Sequence, residues 1–186
     1  MAEEARIERI THGDAPVTDG WFVLNAHDAQ WIHHPDFGWC CPFEASGAVT
    51  RQRDDLEPLT FPQVGVNLLV LTRGSGGLYH REDQQEDFLV LRGACLLLVE
   101  GEERPLKQWD FFHSPPGTEH VLLGTSDEPC VVLRAGVRLG YPGLFYPRAD
   151  VAVKHGAAAD RETTSGAEAY APRGHWQPSE KPPGLP

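Results

Sequence analysis

Gly74–Gly93, GSGGLYHREDQQEDFLVLRG, and the downstream hexapeptide Pro115–His120, PPGTEH, decide the fold of this chain. The first is glycine-punctuated at its start and strand-like at its end, where Asp87–Leu91 is rich in large apolar residues. Side chains alternate between faces along an extended chain, so His80, Glu82 and Glu86 have the even spacing to project to one side. His120 opens another strand-like run, Val121-Leu122-Leu123, behind a rigid Pro115-Pro116-Gly117 turn. A sheet that closes on itself would carry His120 to the other three. A divalent-metal site inside a small barrel makes these facts cohere.

Working outward, strand signals follow one another closely. Val64–Leu71 (VGVNLLVL), Gly77–Glu82, Asp87–Leu91, Ala94–Val99, Arg104–Lys107, Trp109–His113, His120–Leu123 and Cys130–Val137 are separated by Gly, Pro, Asp and Ser turns. No amphipathic helix interrupts them, which indicates an all-β sandwich or barrel. Closure removes exposed edges and leaves room inside for one small ligand. Upstream, Trp21–Leu24 (WFVL) reads as a first strand, and Trp31–Pro42 as an aromatic, turn-rich segment that caps an opening or covers a sheet. The expected organisation is a polar N-terminal arm over 1–20, the barrel over 21–147 and an extended, proline-rich tail over 148–186. Within the tail, Ala167–Tyr170 has weak helical character, and Tyr170 and Trp176 are placed to anchor it to its own barrel or to a partner subunit.

Composition narrows the function. A chain of 186 residues with 40% hydrophobic content can bury a core, and it has no apolar run near the ~20 residues of a membrane helix. Its charged start, MAEEARIERI, lacks the apolar centre of a secretion signal, so a cytoplasmic location is the default. A net charge of -11 without a basic cluster argues against a nucleic-acid partner. Cys95 and Cys130 lie in apolar runs and read as buried hydrophobes. Adjacent Cys40 and Cys41 have neither disulfide nor C-x-x-C spacing, and the reading of packed thiols outweighs a second metal site with His33 and His34. Imidazole and carboxylate donors without thiolate suit Fe(II), Mn(II), Ni(II) or Zn(II).

The spacing resembles the two cupin motifs, G-x5-H-x-H-x3,4-E-x6-G and G-x5-P-x-G-x2-H-x3-N. Gly74, His80, Glu86 and Gly93 follow the first, with Glu82 where a second histidine is usual. Pro115, Gly117 and His120 follow the second, with Trp109 and Gly124 replacing its opening glycine and closing asparagine. The resemblance covers about Val64–Val137. It implies a double-stranded β-helix, a cupin-like jelly-roll barrel, with extended N- and C-terminal arms. It also implies a metal held by His80, Glu86 and His120, with Glu82 as a fourth ligand, and assembly as a homodimer.

Glu82 leaves three alternatives. As a ligand it makes a site of two imidazoles and two carboxylates, which favours harder ions. Outside the set it leaves two histidines and one carboxylate with open positions, and serves as a catalytic base beside the metal. The third alternative is loss of metal with the barrel kept for binding. The function expected is a metal-dependent enzyme of dioxygenase, isomerase or lyase type acting on a small polar metabolite, in a pocket lined by Phe88, Leu97 and Phe111. The alternative is a non-catalytic module that binds or senses a small molecule. The barrel alone does not choose between them.

Overall fold

A computed structural model describes residues 3–140 and 143–185. Twelve strands dominate it. A short hairpin, β1 (Ile7–Arg9) and β2 (Asp14–Pro16), precedes β3 (Trp31–His34), β4 (Gly38–Cys41) and β5 (Val64–Leu71). The central series is β6 (Glu86–Arg92), β7 (Ala94–Val99), β8 (Glu102–Lys107), β9 (Phe111–Ser114), β10 (His120–Gly124) and β11 (Cys130–Val137). Two short helices, α1 (Asp150–Lys154) and α2 (Gly166–Tyr170), a 3-10 turn over Ala171–Arg173 and β12 (Gln177–Ser179) complete the chain.

Two antiparallel sheets face each other. The larger has the order β12-β3-β4-β5-β11-β6-β9 and the smaller β10-β7-β8. The segment before β6 extends the smaller sheet through the bridges Gly76↔Leu123 and His80↔His120. From β5 to β11 the chain therefore passes repeatedly from one sheet to the other, the winding of a double-stranded β-helix. Leu71, Phe88, Val90, Cys95, Leu97, Leu122, Cys130 and Val132 fill the space between the sheets. Removing such side chains from water is the main stabilising term, about 1.5–3 kcal/mol for each large one.

The two-residue period gives this interior a polarity. Along β11, Cys130, Val132, Arg134 and Gly136 share the inward face; along β6 it is Val90, Phe88 and Glu86. Along β5 it is Leu71, Leu69 and Asn67, with Asn67 opposite Arg134. One end of the barrel is thus hydrocarbon, and the other presents an amide, a guanidinium and a carboxylate.

The bounds of β5, β7 and β11 are those of the apolar runs in the sequence. Trp21–Leu24 is not a strand: it contributes one bridge, Glu4↔Trp21, and Val23 is 89% exposed. Phe22 stacks on Phe61 and Leu24 packs against the core, so the quartet is held by side chains and not by a sheet. Trp31–Pro42 is a hairpin inside the larger sheet, since β3 and β4 pair through Ile32↔Cys40. In the expected N-terminal arm, β1 and β2 pair with each other, and Ile10 and Ala15 bury against Ile32 and Cys40. The C-terminal region is more ordered than an extended tail. Ser165 caps α2 by accepting from Glu168 N, and β12 adds to the sheet edge beside β3, where Pro178 is tolerated. No helix among the described residues is long and apolar enough to cross a membrane.

Candidate metal centre and its cavity

His80 and His120 are far apart in sequence and directly opposite in space. Each donates its backbone N–H to the other's carbonyl, at 3.2 Å from His80 and 2.8 Å from His120. Residues opposed in this way point their side chains to the same face. Gly117 N donates to Glu82 O at 2.7 Å, so the proline-glycine turn is clipped to the same segment. Glu86 enters from the facing sheet at the start of β6, opposite Gly136 on one side and Ser114 on the other. Gly136 makes room for it: a Cβ there would lie 3.3 Å from Glu86 Oε1.

Both imidazoles are oriented by carbonyl oxygens. His80 Nδ1 is 2.9 Å from Leu78 O, and His120 Nδ1 is 3.0 Å from Thr118 O, with Ser114 Oγ also at 3.3 Å. A carbonyl only accepts, so each Nδ1 carries the proton and each Nε2 presents a lone pair. Those lone pairs converge on Glu86 Oε2, at 3.8 Å from His80 and 3.2 Å from His120. His120 Nε2 is buried and, despite that 3.2 Å approach, is not aligned as a hydrogen-bond partner of the carboxylate. One donor atom from each of His80, Glu86 and His120 lies within 4.8 Å of the others. Two donors bound about 2.1 Å from one ion sit about 3–4 Å apart, so these spacings fit a shared first-row cation. Imidazoles fixed through their far nitrogen are a recurring mark of metal ligands. This trio is the only group of its kind among the described residues.

The electrostatics favour charged carboxylate and neutral imidazole. Burial pushes Glu86 up, but the cations around it, His120 and His80 when protonated and Arg134 throughout, outweigh it and hold the carboxyl down at about 2. Burial, then the neighbouring His120, pushes His80 below the ordinary imidazole range. Glu82 behaves oppositely: burial and the Glu86 charge raise it to about 7. Glu82 is not among the three clustered donors. It lines a small polar recess of about 50 Å³ with Asn67, Glu86 and Arg134. Asn67 Oδ1 is buried there without a hydrogen-bond partner.

Over the trio opens a larger cavity of about 420 Å³. Phe88 lines it, as expected, but Leu97 belongs to the core behind and Phe111 faces solvent at 62% exposure. Sequence reasoning missed Phe37, Arg134 and the use made of Tyr170 and Trp176. Phe37 sits edge-on to Tyr170 at 5.2 Å and tilted against Trp176 at 5.9 Å, and all three wall the cavity. Tyr146, also from the C-terminal region, stacks on His80 at 5.5 Å. His113 is a surface partner of Asp87, at 2.6 Å. His34 spends both ring nitrogens on backbone, Arg173 O and Asp36 N, while burial raises the Cys40 and Cys41 thiols to about 11 and 12. Nothing about these four residues, His33 included, resembles a second cation site, since His33 lies against the Trp39 ring at 4.3 Å.

Residues 67–135, which hold all three donors, match the cupin domain family. This segment is a cupin domain. Among solved structures it is similar to three others. One, from Acidithiobacillus ferrooxidans and provisionally named a sugar phosphate isomerase, is 28% identical with a TM-score of 0.40, over 41% of this chain and 51% of that one. A cupin 2 conserved barrel domain protein from Salinispora arenicola is 22% identical with a TM-score of 0.38, over 42% and 65%. A salicylate 1,2-dioxygenase from Pseudoaminobacter salicylatoxidans is 21% identical with a TM-score of 0.38, over 41% and 21%. The chain thus spans about half the length of the first of these and a fifth of the last. No curated protein matches it.

Proposed function

We propose that this cupin is a metal-dependent enzyme acting on a small molecule, with His80, Glu86 and His120 holding one divalent cation. The observation that carries the reading is the pair of imidazoles pinned by Leu78 O and Thr118 O, whose lone pairs converge on a carboxylate kept ionised. Such a cation supplies Lewis acidity toward a bound carbonyl, enolate or oxygen species. Three protein donors leave positions open on the cavity side. Glu82 stands outside the donor set and acts as the acid–base group. It shares the recess with Glu86, and its carboxyl is poised to take a proton from a substrate carbon or oxygen and return it. Arg134, on the wall between recess and cavity, orients the substrate. Phe37, Tyr170 and Trp176 exclude water from the reacting end.

Elemental analysis of protein purified without chelators or a histidine tag tests the metal reading. Near one equivalent of a first-row divalent metal is expected in the native protein and little in His120→Ala. Equal metal in both would remove His120 from the coordination sphere. Oxygen uptake with Fe(II) separates a dioxygenase from isomerase or lyase chemistry, which proceeds anaerobically with Mn(II) or Zn(II). A ligand that stabilises the loaded protein yet is recovered unchanged marks a binding module instead.

A further inference from the structure

We propose that the cavity takes a small carboxylic acid with an apolar, ring-bearing body, its carboxylate facing Arg134 and its body held between Phe37, Phe88 and Trp176. The proposal rests on the metal reading above and goes beyond it by naming the substrate class. Charge is the first argument. Besides the trio's own Glu86, the acidic and basic groups beside it are Glu82 and Arg134, and Arg138 pairs with Glu44 at 2.9 and 2.6 Å. A divalent cation together with Arg134 outweighs Glu86, and still outweighs it when Glu82 is ionised. The loaded site therefore carries net positive charge in a low-dielectric interior, where an anion is the complementary ligand. A planar guanidinium matches a carboxylate in two parallel hydrogen bonds.

Place is the second argument. Arg134 and Glu86 line both the polar recess and the large cavity, so the guanidinium stands where the two meet. Beyond it the walls turn apolar: Ile32, Leu69 and Leu71 line the cavity with Phe37 and Trp176. The volume of about 420 Å³ lies within the range for small-molecule sites. A polyhydroxylated ligand would leave hydroxyls unpaired against these side chains. The expected polar metabolite is thereby narrowed to one polar at its metal end only. Phe37 and Trp176 lie outside the matched family segment, 67–135, so this chain's flanking residues set the preference.

Isothermal titration of the Zn(II)-loaded full chain with cinnamate, cinnamamide, acetate and malonate tests this. Cinnamate should bind at least tenfold tighter than cinnamamide. Arg134→Gln should erase that ratio without weakening the amide, and Trp176→Ala should weaken cinnamate severalfold while leaving acetate unchanged. Arg134→Lys, which keeps the charge but not the fork, should fall between, and it decides the matter should Arg134→Gln fail to fold. Equal binding of acid and amide, tighter malonate than cinnamate, or a ratio indifferent to Arg134 would overturn the proposal. Metal is quantified in the same samples. Bound zinc without cinnamate binding sinks this proposal alone. Absence of zinc sinks the metal reading, and cinnamate binding to the bare protein, lost or kept in Arg134→Gln, then decides the ligand class.

Discussion

Replacing Gly136 by alanine probes the site without touching a proposed ligand. The new Cβ would sit 3.3 Å from Glu86 Oε1 and 3.4 Å from its Cγ, closer than ordinary contact, and Gly136 has no positive φ to forbid the change. The carboxylate must then give by a few tenths of an ångström. It has little room to do so, because His120 Nε2 is already 3.2 Å away and the residue is buried. Disturbing a group that positions a metal ligand costs typically 10–100-fold in affinity. The small displacement places this variant near the lower figure, about tenfold or 1.4 kcal/mol. Stability of the metal-free protein should move the other way or not at all, since alanine in a strand interior is favoured over glycine by roughly 0.5–1 kcal/mol. Competition against a chromogenic chelator gives the affinity, and urea unfolding with EDTA gives the stability. An unchanged zinc affinity in a normally folded variant would refute the placement of Glu86 in the coordination sphere.

Other expectations follow from the same structure. In metal-free protein the Glu82 carboxyl rises from 4.5 unfolded to about 7 folded, so the native state holds the extra proton between those values. Its contribution to stability is therefore intact below pH 4.5 and is lost as pH rises through 7; urea midpoints across that window should fall, and Glu82→Gln should flatten the slope. Cys40 and Cys41, their thiols raised by burial to about 11 and 12, should ignore Ellman's reagent at pH 8, while four thiols react after unfolding. Rapid native labelling of either would contradict their burial. Gly124→Ala would thrust a Cβ to within 2.0 Å of Thr72 O, and a loss of about 3 kcal/mol or more in urea unfolding is expected. A loss under 1 kcal/mol would mean that the Thr72 loop yields freely.

The sequence makes the barrel legible where one physical signal acts alone. Val64–Leu71, Ala94–Val99 and Cys130–Val137 are continuous apolar runs between turn residues, and each is a strand with those bounds. His80, Glu86 and His120 were legible because their spacing is tied to the glycines and prolines that shape the turns. Local signals mislead where tertiary contacts decide. WFVL at Trp21–Leu24 has strand composition and no sheet to join. The residues after Arg148 look too polar and proline-rich to fold, yet small alanines pack there: Ala152 and Ala157 against Tyr79, Ala159 and Ala169 against Leu78. Arg134 carried a signal that went unread. A lone arginine on the inward face of an apolar strand, in register with Val132, is costly unless the interior beside it is charged.

The reciprocal backbone pairing of His80 with His120 bears on how a nascent molecule would acquire the proposed ion. The imidazoles meet only once the chain between them has been looped back, and Glu86 joins them only when the facing sheet is stacked, so the entropy of closing that loop is spent beforehand. Capture is thus a late event. Zinc added during renaturation should leave the rate of collapse untouched and act by mass action on the finished barrel, slowing its escape back to disorder.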